Sequence, residues 1–305
     1  MKVVSIGEVL WDVIEREEHL GGAPFNFAAH LRRLGHTVFF VSGVGRDQRG
    51  ERILHKMAEL GLPTGYVSRV ENAASGVVEV TLDTAGQPHF IIHRPAAYDF
   101  PKLSKLDLEQ LSSEQPDWIY FGTLLQMNSQ AKALTAALLA SNSARRFYDV
   151  NLRAGCYDAP LVRELMSQAA VVKLNDDEAS EIAQMFHRPQ PDSLEEFCRS
   201  YAREFGWEAV CVTRGARGCA LLIGNEYTEA DGYPVEVADT VGAGDAFAAA
   251  LLHGLGSGWQ PSRIADFANR VGALVASRRG AIPAWTVEEA MALGSPQRHR
   301  GTEKT

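Results

Sequence analysis

Short, continuous apolar runs alternate along this chain with longer segments whose apolar residues recur at helical spacing. The short runs are typical of strands buried on both faces, and the longer periodic segments are typical of amphipathic helices. The predicted strands are residues 3–8, 38–41, 118–121, 146–150 and 171–174, and the predicted helices are residues 47–60, 130–139, 160–169 and 264–277. Strands that alternate with helices indicate βαβ units and hence an α/β fold with a doubly wound, mostly parallel, Rossmann-like sheet.

One segment has a different pattern. Residues 77–82 and 89–93 are two β-prone runs that flank Asp-Thr-Ala-Gly-Gln at residues 83–87, which predicts a β-hairpin. Residues 295–305 are polar and predict a flexible C-terminal tail.

Composition narrows the classes of function. The 305 residues are 46% hydrophobic, enough for a large core, and the net charge is −8. Lys and Arg cluster only in the short tail, so nucleic acid is not an expected partner. No apolar stretch approaches the ~18 residues that a membrane span requires. The four cysteines lack C-x-x-C spacing and the chain opens with a strand rather than a signal peptide, which predicts a reduced, cytoplasmic protein.

The main candidate for chemistry is the run Asp-Thr-Val-Gly-Ala-Gly-Asp-Ala-Phe at residues 239–247. Its glycines let successive N–H groups point at one anion, and the helix that follows adds the positive end of its dipole. An Asp in the first turn can deprotonate an alcohol beside that anion, as phosphoryl transfer requires. The alternative is an acidic residue that only complements the helix dipole.

This run resembles the second signature of the phosphofructokinase-B (ribokinase-like) family of carbohydrate kinases. Gly-Gly-Ala-Pro-Phe-Asn-Phe-Ala at residues 21–28, followed by Gly35 and Gly45, resembles the first signature. The resemblance implies a ribokinase-like kinase domain over residues 1–294, with a small β-strand lid from about 10–20 and 73–98 over the sugar site. It also implies an ATP-dependent sugar kinase that uses Mg²⁺.

The resemblance also implies roles for single residues. Asp245 would be the catalytic base, and the anion hole would consist of Gly242, Ala243 and Gly244. The implied substrate-binding residues are Asp12, Gly22, Asn26, Phe90 and Arg153, the last in a D-x-N-x-R stretch in which Val150 replaces a common proline. Alternative interpretations are a solvated surface residue for Asp12, a polar residue near a helix start for Asn26 and a surface ion pair for Arg153.

On the nucleotide side, residues 175–178 resemble the N-x-x-E motif, in which Asn175 and Glu178 would hold Mg²⁺ largely through water. Asn175 is equally a candidate helix cap. The loop Thr-Arg-Gly-Ala-Arg-Gly resembles the T-x-G-x-x-G nucleotide loop, or else a plain hairpin turn. The implied cofactor-binding residues are Asn175, Thr213, Arg214, Gly215, Gly218 and Asn269, the last on the adenine side unless it is merely exposed. The resemblance also implies a K⁺ site, for which Asp239 and carbonyls around residues 276–281 are the candidate ligands.

The choice of sugar is less determined. The segments 8–12, 94–98 and 149–153 look most like the fructokinase branch, whereas ribokinase or 2-keto-3-deoxygluconate kinase is the alternative. A hypothesis from another class is a sensor that binds a sugar or nucleoside without phosphorylating it. The expected partners are a sugar and ATP, with a homodimer through the lid as a further option.

Overall fold

The computed structural model describes residues 1–14, 17–82 and 88–294, apart from the side chains of 80–82 and 88–90. The chain divides into two compact units, Met1–Ala169 and Ala170–Thr305. The predicted tail, residues 295–305, lies outside the described residues, and so does the hairpin turn at 83–87. Within the described part, no helix is long and apolar enough to cross a membrane.

The first unit contains a parallel sheet covered by helices. Its strands are β1 (Lys2–Ile6), β2 (Leu10–Ile14), β3 (Glu17–Gly21), β4 (Thr37–Gly45), β5 (Val67–Val70), β6 (Gly76–Leu82), β7 (Pro88–Ile92), β8 (Trp118–Gly122) and β9 (Arg145–Asp149). Its helices are α1 (Ala23–Arg33), α2 (Gln48–Glu59), α3 (Lys105–Ser113), α4 (Thr123–Gln126), α5 (Ser129–Ala140) and α6 (Ala159–Gln168). The order β9-β8-β1-β4-β5 is parallel throughout, so the predicted strands and helices of this unit are confirmed.

The central strands are continuous apolar runs because side chains on both faces of the sheet are buried. All five residues of β8 are buried, and Val3, Val4 and Ile6 of β1 have no exposed surface. The helix ends also follow from local sequence. Pro24 stands in the first turn of α1, and the Asp47 side chain accepts a hydrogen bond from Gly50 N (2.7 Å) to cap α2.

A separate small sheet forms the predicted lid. Its described strands run in the order β3-β2-β6-β7, with β2 antiparallel to β3, parallel to β6, and β6 antiparallel to β7. The pairing of β6 with β7 confirms the predicted hairpin. Ile91 on the edge strand β7 is 48% exposed, but a homodimer through the lid stays a prediction.

Ser75, the residue that precedes β6, is joined to the main sheet of the first unit through Asp47. The Asp47 carboxylate accepts hydrogen bonds from the backbone N–H and the hydroxyl of Ser75 (both 2.8 Å), and the Ser75 hydroxyl accepts one from Gly45 N (3.0 Å). A Cβ at Gly45 would lie 2.6 Å from Ser75 N, so only glycine fits there. Burial works to raise the pKa of Asp47, but the hydrogen bonds from Ser75 and Gly50 outweigh it and hold that pKa below its usual range.

The second unit contains parallel strands β10 (Val171–Asn175) and β11 (Ala209–Thr213), followed by antiparallel β12 (Cys219–Ile223) and β13 (Glu226–Ala230). Its described helices are α7 (Asp176–Met185), α8 (Leu194–Phe205), α9 (Ala243–Gly256), α10 (Pro261–Ala276) and α11 (Val287–Met291). The predicted fold class is confirmed: a mostly parallel α/β sheet with a small separate lid sheet. The four cysteines carry free thiols.

Candidate active site

The glycine-rich run leads directly into α9, as predicted. Gly242 caps the helix in the left-handed region (φ 77°), and a Cβ there would lie 2.6 Å from Ala281 Cα. This position therefore requires glycine for two reasons: its left-handed backbone conformation and its close approach to residue 281. Asp245 lies in the first turn of α9, where the first N–H groups of a helix lack intrahelical partners and the dipole is positive. The site can thus hold an anion beside a carboxylate.

Asp239 braces the loop that precedes Gly242. Its two carboxylate oxygens accept hydrogen bonds from Val241 N (2.9 Å) and Gly280 N (3.0 Å). The backbone N–H of Asp239 donates to Ala276 O (3.1 Å), and that of Ala243 donates to Thr240 O (3.3 Å). The Asp239 carboxylate and the Ala276 carbonyl therefore already accept hydrogen bonds from backbone N–H groups. A K⁺ ion at Asp239 stays a prediction and would compete with these donors.

Asn175 and Glu178 form a reciprocal cap at the start of α7. Asn175 Oδ1 accepts a hydrogen bond from Glu178 N (2.7 Å), and Glu178 Oε2 accepts one from Asn175 N (2.8 Å). The cap interpretation of Asn175 is thereby confirmed. Among the described residues no group of three or more His, Cys, Asp or Glu side chains is placed to hold a metal. A single carboxylate such as Glu178 suits Mg²⁺ only if water and phosphate oxygens complete its shell.

The loop after β11 forms a 3₁₀ turn, Gly215–Arg217, before β12. Gly218 has φ 88°, and a Cβ there would lie 2.6 Å from the Asp231 carbonyl carbon. The Arg214 side chain turns back into the unit, where it forms an ion pair with Glu229 (2.6 Å). Arg217 forms an ion pair with Asp176 and so links this loop to the first turn of α7. The two predicted nucleotide motifs are therefore neighbours in space.

Asn269 is on α10, as predicted, but it is buried (6% exposed). Its Nδ2 donates to the backbone oxygens of Ala230 (3.3 Å) and Asp231 (3.2 Å), at the end of β13. The interpretation as a merely exposed helix residue is wrong, because the side chain ties two elements together. Adenine contact by Asn269 stays a prediction.

Lys173 is a further functional candidate, which lies outside the sequence motifs. This β10 residue is 7% exposed, and its Nζ is 3.6 Å from the position that a Cβ on Gly244 would occupy. A buried ammonium beside the positive end of a helix strengthens an anion site, because burial makes its charge interactions stronger. The available signal was a lysine inside the apolar strand Val-Val-Lys-Leu.

In the first unit, the lid strand β2 carries Asp12. Its carboxylate lies over Gly21 of β3, where any Cβ would collide with it. The half-buried state of Asp12 contradicts a fully solvated surface residue. Gly22 has φ 108° and caps α1, and a Cβ there would lie 2.6 Å from Glu8 O.

Two other predicted sugar ligands have different environments. Asn26 lies near the start of α1, as its alternative interpretation states, and it is buried (3% exposed); contact with the sugar stays a prediction. Arg153 is exposed after β9 and forms no ion pair with any residue that the structure describes, which contradicts the ion-pair interpretation. The Phe90 side chain lies outside the described residues. Neighbouring Asp149 is fully buried and accepts a hydrogen bond from Tyr120 Oη (2.9 Å).

Comparison with known proteins adds independent findings. Residues 2–287 match the model of the pfkB family carbohydrate kinases. A fructokinase of Escherichia coli is 30% identical over 303 residues, which cover 93% of this chain and 95% of that protein. An uncharacterized sugar kinase from Pyrococcus horikoshii, solved in complex with ATP, is 26% identical with a TM-score of 0.80 and covers 94% of this chain and 96% of its own. A fructokinase with bound ATP from Xylella fastidiosa has a TM-score of 0.84 at 24% identity, and the match covers 95% of this chain and 97% of that protein's chain.

Proposed function

Because the chain belongs to the pfkB family of carbohydrate kinases and is an ATP-dependent sugar kinase, we propose that it phosphorylates fructose, with Asp245 as the catalytic base. The observation that carries the assignment of the base is the position of Asp245 in the first turn of α9, directly after the left-handed Gly242. A protein that only binds sugar does not need a carboxylate at such an anion site.

In this proposal Asp245 accepts the proton of a primary sugar hydroxyl. The hydroxyl oxygen forms a bond to the γ-phosphorus of ATP, and the bond between that phosphorus and the bridging oxygen breaks to release ADP. N–H groups of Gly242, Ala243 and Gly244 would stabilise the charge on the transferring phosphoryl group, and that of Ala243 would first give up its hydrogen bond to Thr240 O. When bound, Mg²⁺ neutralises charge on the phosphates, and Asn175 and Glu178 are the residues that would hold it, largely through water.

The remaining proposed ligands divide by unit. Asp12, Gly22, Asn26, Phe90 and Arg153 would orient the sugar. Thr213, Arg214, Gly215, Gly218 and Asn269 would hold the nucleotide. Because the Arg214 side chain is ion-paired with Glu229, its contribution to nucleotide binding would come from the main chain.

Support for fructose comes from the similarity to the Escherichia coli fructokinase over nearly the whole chain. Sugar choice depends on a few hydrogen bonds, however, and ribose or 2-keto-3-deoxygluconate are the competing acceptors. The test is ADP release by the purified protein with Mg-ATP and each of these three sugars. We expect the largest kcat/KM with fructose. Turnover of another sugar would support the kinase mechanism and identify that sugar as the acceptor. If ATP binds but no sugar is turned over, a sugar sensor would be the better assignment.

A second prediction concerns Lys173. We expect Lys173→Met to lower kcat by about 10²-fold, the usual effect of removing one donor that stabilises transition-state charge. Lys173→Arg, which keeps the charge, should retain more activity than the Met variant. Lys132→Met is the matched control, since Lys132 forms a partly exposed ion pair with Glu164 in the first unit. Equal kcat for Lys173→Met and the wild type would show that Lys173 has no role in the mechanism.

A further inference from the structure

The N-terminal end of α2 contacts two described lid strands, β2 and β3, and the residue that precedes a third, β6. The contact with β3 is ionic: Glu18 accepts hydrogen bonds from Arg49 (2.8 Å) and from Arg52. These hydrogen bonds and the two positive charges lower the pKa of Glu18 below its usual range, so the carboxylate is charged at neutral pH. Glu18 is only 23% exposed although it lies on an edge strand. One carboxylate therefore holds β3 to two successive turns of α2.

The contact with β2 is made by Trp11. Its indole is 6% exposed, its Nε1 donates to Arg49 O (3.3 Å), and the Arg52 guanidinium lies 4.0 Å from the ring centroid. This geometry is that of a cation–π contact. Arg52 thus contacts Trp11 and Glu18 together, so the contacts with β2 and β3 depend on each other.

Asp47, the cap of α2, contacts Ser75, the residue that precedes β6. Residues 47–52 therefore reach β2, β3 and the start of β6. We call this set of contacts the α2 clamp: Asp47 with Ser75, Arg49 with Trp11 and Glu18, and Arg52 with the same two residues.

The α2 clamp is directly connected to the proposed sugar ligand Asp12. Trp11 precedes Asp12 on β2, and side chains of successive strand residues point to opposite faces. Glu18 pairs with Val13 in the β2–β3 register, so Trp11, Val13 and Glu18 share the face toward α2. Asp12 is then on the other face, where its carboxylate lies over Gly21. Any shift of β2 relative to α2 moves Asp12 by a similar amount.

We propose that Glu18 and Trp11 are positioning residues that hold Asp12 in place for the acceptor sugar through the α2 clamp. This proposal rests on the proposed function. Neither side chain needs to touch the sugar. A single exposed ion pair contributes little, but this carboxylate is shared by two arginines, one of which also covers a buried indole. The consequence is that sugar affinity depends on a contact on the opposite face of the lid.

The test compares Glu18→Gln with Glu51→Gln. Glu51 is also on α2 and forms an ion pair with an arginine, but its partner is Arg69 of β5 and not a lid residue. We expect Glu18→Gln to raise the KM for the accepted sugar about threefold to tenfold, the loss that one shared ion pair and a weakened cation–π contact would cause. The KM for ATP should stay unchanged. Glu51→Gln should change neither constant, and Trp11→Phe should act in the same direction as Glu18→Gln.

A double-mutant cycle with Asp12→Asn separates positioning from general loss of stability. If Glu18 acts through Asp12, Glu18→Gln should not raise the sugar KM further in the Asp12→Asn background. About 0.5 M NaCl should raise the sugar KM of the wild type more than that of Glu18→Gln, because salt weakens an ion pair whose arginines are 41% and 45% exposed. An unchanged sugar KM in Glu18→Gln, or its full effect in the Asp12→Asn background, would overturn the inference. A wild type without sugar turnover is a different result, since it contradicts the proposed function before any variant is made.

Discussion

Asp245→Asn is expected to reduce kcat by roughly 10³-fold or more while sugar and ATP still bind. General bases contribute about 10²–10⁴-fold to turnover, and Asn cannot accept the proton of the hydroxyl. Because the carboxylate would act mainly in the transition state, kcat and kcat/KM should fall together. Steady-state kinetics measures this loss, and calorimetric titration with sugar measures the retained binding.

The matched control for Asp245 is Asp107→Asn. Asp107 is also an acidic residue in the first turn of a helix, but its carboxylate accepts a hydrogen bond from Ser104 N in the capping box of α3. If Asp245 only complemented a helix dipole, its loss would resemble that of Asp107, a decrease in stability of about 1 kcal/mol or less with normal turnover. Wild-type kcat in Asp245→Asn would therefore contradict the assignment of the base.

The second large effect is expected for Gly242→Ala. The added methyl group would meet Ala281 at a left-handed backbone position, so the loop must move, and we expect its N–H groups to lose their alignment on the phosphoryl group. We expect kcat to fall by about 10²–10³-fold, comparable to the loss of an oxyanion-hole donor. Rapid-quench measurement of the phosphoryl-transfer step would locate this loss in the chemical step.

Gly258→Ala is the matched control for Gly242→Ala. Gly258 has a similar left-handed backbone (φ 65°), but nothing lies within 4 Å of a Cβ placed there. This variant should lose about 1–2 kcal/mol in the free energy of unfolding from backbone strain and keep its turnover. If both variants lost the same activity, backbone strain rather than the shape of the anion hole would be responsible.

Local features of the site were predictable because their causes lie within a few residues. The cap of α7 needs only Asn175 and Glu178 at the right spacing, and the structure contains it as predicted. The hairpin of the lid followed from two β-prone runs around a turn, and the helices began and ended within a few residues of their predicted limits. The interpretation of Asn269 as an exposed residue was wrong because helical periodicity does not reveal that β13 ends against it.

The sequence by itself determined the α/β fold class, the lid hairpin and the candidate residues of the anion site, since periodicity, turn residues and signatures are properties of neighbouring residues. Only the tertiary structure decided that Lys173 lies beside Gly244, that Arg214 turns to Glu229, and that the α2 clamp lies behind Asp12. Each of these contacts joins segments distant in the chain. Their side chains meet only after strands and helices have packed, and no local pattern specifies the resulting distances or the charges that become neighbours.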